Sequence, residues 1–575
     1  MVLLNFFSLL FLSIIFLFYQ YIYPKKKIKL GILLFFLSLL PLLSILRKGT
    51  YESGAFSDYV KFSMSFYESL KEGNLVPQWD SLRCAGYGCP QFIFMYTLPY
   101  YIISFFHFIG FSFISSIKLL LALAFLSSGL SIYTFVKDWL GKLSAFVAAI
   151  FYLFSPYHLV DLHFRTDIAE ILSFVFLPIQ FLSTKKILET RSWKWIIIGA
   201  VNILFLIMSH QAISLATIPL ILTYGIVIWI YSKKRNQSSL LLFLGSLALG
   251  LLLSMFYWLP ILSEAKNIYW GIFGNISFIK PWSAFFYSPW KLGFLFQGPY
   301  GELSFIVGYT HWIIVAISIY MLAKNKIRGS LKIVLLFLLA SFAIAFFMMQ
   351  EISESIWITI PIINKFQFSY RFLLFLSFLS ALMAAILSKA IKNKWIITLL
   401  CFFTITTTIL NWGHRRTIPS IDDSYLRREL ITASPVFEVT IPKWADYKNL
   451  ETKKRPAKHI EVLSGKAKIL EIYRNTTKHE YVIYAQTKIT LRENTFYFPG
   501  WNLIINNRFY PFSYETSKHQ GLITFSLPKG NHKAILEYSN NPIISLSQKV
   551  SLLTLFSIIF FSVYYFLKHE RRIVM

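Results

Sequence analysis

The chain has 575 residues, of which 56% are hydrophobic, 18% aromatic and only 14% charged. Soluble domains carry about a quarter charged residues, so a string of soluble domains is excluded and a polytopic α-helical membrane protein is indicated. The formal net charge of +29 does not argue for nucleic acid, because the basic residues sit where membrane topology needs them.

Those residues fall in short breaks between apolar runs, at 25–29, 185–186, 233–235, 324–328, 389–394 and 571–572. This is the positive-inside pattern that fixes orientation, with contact to membrane lipids as its second consequence. Residues 1–23 lack the basic start and small-residue cleavage site of a signal peptide and read as a retained helix. Apolar runs near 2–23, 28–46, 114–136, 142–157, 168–184, 195–209, 212–231, 238–260, 303–323, 332–349, 370–388, 395–410 and 546–567 predict about thirteen crossings. All basic breaks lie inside only if 92–112, interrupted by Pro99, His107 and Gly110, is re-entrant or interfacial. The N-terminus then faces out and the C-terminus in, across a plasma membrane.

The external face collects the loop 47–91, the turn 155–167, the break at 209–211, the Trp- and Tyr-rich loop 261–302, the segment 350–369 and the region 411–545. The cytoplasmic breaks hold no Gly-rich nucleotide loop. Three domains follow: a transmembrane core over 1–410, an extracytoplasmic domain over 411–545, and a final helix with a basic tail over 546–575. In the second domain, runs such as KHIEVLSG, EYVIYAQ, TKITLRE, WNLIINN and GLITFSL alternate with period two and are separated by turn residues, which predicts a β-sandwich.

Within the first loop, SDYVKFSMSFYESL reads as an amphipathic helix, with Phe62, Phe66 and Leu70 on one side. Asp58 falls in its first turn, where the helix dipole favours a carboxylate. A carboxylate beside membrane-sheltered apolar surface is also a candidate functional group. Asp80, in VPQWDSLRC, is either a second acidic candidate or a turn Asp paired with Arg83. Cys84 and Cys89 flank a Gly-rich turn and are either a small disulfide loop or two thiols.

The turn SPYHLVDLHFRTDIAE packs His158, Asp161, His163, Arg165, Asp167 and Glu170 between two membrane helices. His158, Asp161 and His163 match no standard zinc spacing and share no helix face. Asp167 and Glu170 can open the next helix with Arg165 paired to one of them. Alternatively Arg165, with a neighbouring His, clamps phosphate, since guanidinium forks match phosphate oxygens. His210 is an interfacial His or a substrate contact. Arg371 opens a membrane helix from outside and either snorkels or meets an anion, with Lys365 as its companion. The aromatic clusters at 257–300 read mainly as an interfacial belt.

Together GNLVPQWD at 73–80, GYGCPQFIFMYTLP at 86–99, SPYH…RTDIAE at 155–170, SHQ at 209–211, FQFSYRF at 366–372, YFPGW at 497–501 and LPKGNHK at 527–533 resemble the YfhO-type membrane proteins. These are relatives of the GT-C glycosyltransferases, some carrying a pterin-synthase-related label. The resemblance implies a GT-C-like core, a polyprenyl-phosphate sugar donor, and a catalytic acidic residue in the first external loop, matched by Asp58. No second acid stands beside Asp58, so the family's divalent metal (Mg or Mn) is left open and no metal ligand is assigned. The expected activity is sugar transfer to an extracytoplasmic glycan, lipid or protein. The alternatives are a transporter or flippase of lipid-linked glycans, which should show inverted repeats and mid-membrane polar groups, and a non-catalytic glycan-binding envelope protein.

Overall fold

The computed structural model describes the chain except residues 27, 233–234, 270–279, 361–362, 364–365, 414–415, 433–439, 447–455 and 572–575. Eight helices are long and apolar enough to cross a membrane, or up to ten if two bent pairs each count as one span, among the described residues. Three further apolar helices are shorter: Leu30–Ser44, Trp193–Ser209 and Tyr309–Ala323. The stretch read as non-crossing holds only the short helices Gln91–Phe94 and Leu98–Phe108.

The sequence places boundaries at 410/411 and 545/546, whereas the compact units interleave along the chain. One comprises Met1–Phe56, Ile114–Leu251 and Asn275–Ile421; the other comprises Ser57–Phe113, Leu252–Gly274 and Asp422–Met575. The first loop from Ser57 onward and the β-region therefore belong to one unit, although some 350 residues of sequence lie between them.

The helical unit is built around Ser369–Ala390, 89% of whose span is buried, whereas Val2–Ile22 is only 6% buried and is peripheral. Small residues explain the central position. Ser377, Ser380, Ala381, Ala384, Ala385 and Ser388 let neighbouring backbones approach closely, as apolar helices must do in lipid where water drives no association. The facing helix Lys142–Leu153 is equally small-residue-rich, and Ser388 Oγ donates to Ser144 Oγ at 2.8 Å across the contact. Pro156, which cannot continue a helix, follows at a break, and the pair Lys142–Leu153 and Pro156–Arg165 bends by 50° there. A two-residue strand β1 (Thr50–Tyr51) pairs antiparallel with β2 (Thr417–Ile418) at the edge of this unit.

Among the described residues the other unit carries eight strands: β3 (Ile460–Ser464), β4 (Ala467–Arg474), β5 (Lys478–Ala485), β6 (Ile489–Phe496), β7 (Trp501–Ile505), β8 (Arg508–Phe509), β9 (Leu522–Leu527) and β10 (Gly530–Tyr538). They form two antiparallel sheets, ordered β4-β5-β10-β7-β8 and β3-β6-β9. Alternation does what the sequence pattern implied: Tyr481, Ile483 and Ala485 of β5 point into the same buried core as Leu491 of β6 and Phe525 of β9. Asn506 and Asn507 take positive φ of 48° and 66° in the β7–β8 turn, the conformation a tight hairpin asks of Asn or Gly.

The same core takes in the first loop. Trp79 is buried against Trp501 and Tyr538, with ring centroids 5.4 and 5.7 Å away, and Tyr87 packs on Phe496 at 5.2 Å. Gly88 sits at φ 79°, and a Cβ there would come within 2.5 Å of the Trp79 ring nitrogen; only glycine fits. Gln78 Nε2 donates to Asn540 Oδ1 at 2.6 Å. The motifs around 78–91 and 497–501 thus meet as packing partners.

Candidate functional site: a buried charge cluster at the helix breaks

After Pro156–Val160 the chain runs through a π-helical turn, Asp161–Arg165, and then Thr166 turns left-handed at φ 56°. Such π segments store one extra residue in a helix and recur at functional sites. Asp167 then caps Ile168–Thr190, its Oδ1 accepting the N–H groups of Ala169 and Glu170 at 3.1 and 2.9 Å. The cap and the π turn aim Asp161, Arg165, Asp167 and Glu170 at one point.

Arg165 is the fork between them. Its Nη1 donates to Asp161 Oδ1 at 2.6 Å and to the Tyr157 hydroxyl at 2.8 Å. Its Nη2 donates to Asp167 Oδ2 at 2.9 Å and Glu170 Oε1 at 3.0 Å. Glu170, fully buried, is the hub: Oε1 also accepts Arg371 Nε at 3.0 Å, and Oε2 accepts the Tyr157 hydroxyl at 2.6 Å. Arg371 further donates from Nη1 to Phe366 O and to Gln367 Oε1, the latter at 3.3 Å. His210 caps the helix Gln211–Ile230 through Nδ1, and its Nε2 lies 3.9 Å from Glu170 Oε1. Two guanidinium groups thus face three buried carboxylates, with the Arg165 fork also 5.1 Å over the Tyr370 ring. The start of the first loop touches the same turn, Gly54 N–H donating to Phe164 O at 2.9 Å.

Asp167, Glu170 and His210 have ligand atoms within 4.8 Å of one another, but they do not fit a divalent ion. All four carboxylate oxygens already accept protein donors, and two guanidinium groups occupy the space in which a further cation would have to sit. The trio weighed from sequence spacing is not a ligand set either. His158 stacks on Phe174 at 3.9 Å and bonds Tyr152 O through Nδ1, so it is a packed core His.

The chain belongs to the family described as 6-pyruvoyl-tetrahydropterin synthase related domain, membrane protein, whose match spans residues 93–416. That span contains the whole charge cluster. An uncharacterized protein of Lactococcus lactis subsp. cremoris is 25% identical over 280 residues, which is 47% of this chain and 45% of the relative. The chain thus spans less than half of that relative's length. Among solved structures, the arabinofuranosyltransferase AftD from Mycobacteria aligns with TM-score 0.43 and 14% identity, covering 68% of this chain and 27% of its own. The Archaeoglobus fulgidus oligosaccharyltransferase AglB, in complex with an inhibitory peptide and a dolichol-phosphate, aligns with TM-score 0.41 and 12% identity, covering 73% and 61%.

Of the family-matched site residues, Arg165, His210 and Arg371 converge on Glu170, and His163 is buried in the adjoining π turn. Asp58 lies in the other unit, exposed in the first turn of Phe56–Lys71. Asp80 is also in that unit and buried. Its Oδ1 accepts Leu82 N–H at 3.0 Å and its backbone exchanges both hydrogen bonds with Cys89. Burial raises its pKa, and the Arg83 charge pulls the other way; the local turn is present. Cys84 and Cys89 are buried thiols, without the disulfide that the spacing allowed. Lys365 lies outside the described residues. Sequence reasoning missed Tyr157 as a cluster member and Glu170 as its centre. The i, i+4 spacing of Asp161 and Arg165 was a readable signal; the Arg371–Glu170 pair was not.

Proposed function

We propose that the protein transfers a sugar from a polyprenyl-phosphate donor to an acceptor, a cell-envelope glycan, lipid or protein, on the extracytoplasmic face. The observation that carries this reading is the largely buried Arg165–Glu170–Arg371 assembly at the ends of membrane helices, with Glu170 fully buried at its centre. Ionisable groups at such depth are costly to bury and are kept where a charged ligand or a reaction needs them. Arg371 Nη2 has no acceptor among the described residues, which suits one further contact to an anion.

In this reading Asp58 is the general base. Asp161, Asp167 and Glu170 are committed to guanidinium groups, whereas Asp58 is exposed and makes no ion pair among the described residues. It would take the proton of an acceptor hydroxyl as that oxygen attacks the anomeric carbon. The bond from that carbon to the phosphate oxygen breaks, and polyprenyl phosphate leaves with the electron pair. Arg165 and Arg371 would donate hydrogen bonds to phosphate oxygens as charge grows there.

Asp58→Asn keeps size and removes basicity. With a defined polyprenyl-phosphate sugar, transfer by this variant should fall by roughly 10²–10⁴-fold at unchanged expression and melting temperature. Full retention of transfer would remove Asp58 from the mechanism.

A further inference from the structure

The helical unit holds a cavity of about 560 Å³ that involves none of the charge cluster, a volume within the roughly 300–1,000 Å³ usual for small-molecule sites. Its rim carries Arg47 and Lys291, and none of its lining residues is acidic. Both side chains are exposed, and neither has a carboxylate partner among the described residues. This contrasts with Arg165 and Arg371, whose charge is answered by three carboxylates.

Part of the wall is polar and held in place. Asn5, 1% exposed, donates from Nδ2 to Trp412 O at 2.7 Å and Ile409 O at 3.2 Å. Lys118 Nζ donates to the carbonyls of Arg47 and Gly49, anchoring the backbone beneath the rim. Leu295 and Leu410, both half-buried, add apolar surface, and Gln297 a further amide. Lys291 and Leu292 are both left-handed, at φ 44° and 58°. Two consecutive strained residues without glycine persist only where the surroundings hold them, a feature that concentrates at ligand sites.

We propose that this cavity binds the phosphate group of a lipid. Cations without acidic partners attract an anion. A guanidinium and an ammonium on one rim suit phosphate oxygens, and apolar walls beside them suit an amphiphile rather than a free salt ion. The same chemistry is offered by a membrane glycerophospholipid and by a polyprenyl phosphate. The site does not depend on the assignment of Asp58, because binding is measured without sugar transfer.

Native mass spectrometry of the detergent-purified full chain tests it, using polyprenyl monophosphate and phosphatidylglycerol, with polyprenol and diacylglycerol as the phosphate-free controls. Wild type should retain at least one phosphate lipid over its control. The double substitution Arg47→Gln, Lys291→Gln should weaken that binding roughly 10- to 100-fold and leave the controls unchanged, while Arg47→Lys with Lys291→Arg keeps most of it. Preference for polyprenyl phosphate identifies a donor-type lipid, and preference for phosphatidylglycerol identifies a structural lipid; both uphold the site. Phosphate-lipid binding by the folded double variant equal to wild type overturns it. Should the double variant not fold, the single substitutions Arg47→Gln and Lys291→Gln are judged by the same criterion.

Discussion

At the scale of single residues, Glu170 is the point on which the cluster depends. Among the described residues it alone bonds both guanidinium groups and the Tyr157 hydroxyl. Glu170→Gln leaves Arg165 and Arg371 buried with their shared counter-charge gone, and breaking a buried pair from one side costs about 3–5 kcal/mol. Thermal melting in detergent should register that loss, whereas Asp58→Asn, on an exposed helix start, should stay within about 0.5 kcal/mol of wild type. A Glu170→Gln protein as stable as wild type would mean that the cluster is not a unit. The local half of this site was legible: a run of alternating charge between two apolar helices announced that Arg165 would find Asp167 or Glu170. The distant half was not, because Arg371 lies 201 residues from its partner and no local spacing encodes such a contact. Asp58 shows the opposite limit. Its place at a helix start was readable from dipole and periodicity, yet neither tells what substrate would reach it.

At the scale of elements, the β-strands were the most legible part of the chain, since period-two alternation and turn residues are local properties. What alternation does not reveal is the polar bridge inside the core. Glu493 of β6, in the three-stranded sheet, accepts Arg474 Nη1 of β4 at 2.8 Å and lies 3.0 Å from His479 Nδ1 of β5, both in the five-stranded sheet. Burial alone would raise the Glu493 pKa; the charges of His479 and Arg474 prevail and hold it down to about 2. An unfolded glutamate titrates near ~4.3. The folded pKa lies below that, so the stability Glu493 contributes is complete above roughly pH 5 and is lost as pH falls toward 2. The amount is on the order of 3 kcal/mol. Melting temperatures of the full chain between pH 6 and pH 2.5 should fall more steeply for wild type than for Glu493→Gln, which has no carboxylate to protonate. Parallel curves would show that other groups govern the acid limb. The first loop makes a related point: its Trp79 and Gly88 carried a family resemblance, and what they do is pack, Trp79 against Trp501 and Gly88 under the Trp79 ring.

At the scale of the whole molecule, the arguments about function rest on sidedness. The basic breaks at 185–186, 324–328 and 389–394 mark one face, and positive charge near helix ends stays cytoplasmic because moving it across the bilayer during insertion is unfavourable. The cavity rim at Lys291, the π turn at 161–165 and the strand region at 460–538 all fall in segments that the same count places outside. Composition alone indicates the membrane class, and the charge distribution predicts this orientation. How the first loop from Ser57 onward, the stretch beginning at Leu252 and the strand region join one compact unit could not be read, because those contacts span hundreds of residues. Orientation can be tested without any assay of activity. In intact cells, a membrane-impermeant maleimide should label Lys291→Cys and Ser464→Cys, and should label Arg328→Cys and Lys392→Cys only after permeabilisation. The native thiols at Cys84, Cys89 and Cys401 are buried and should add little background. The reverse labelling pattern would turn the charge cluster and the cationic cavity toward the cytoplasm, and transfer on the extracytoplasmic face would then be untenable whatever Asp58 does.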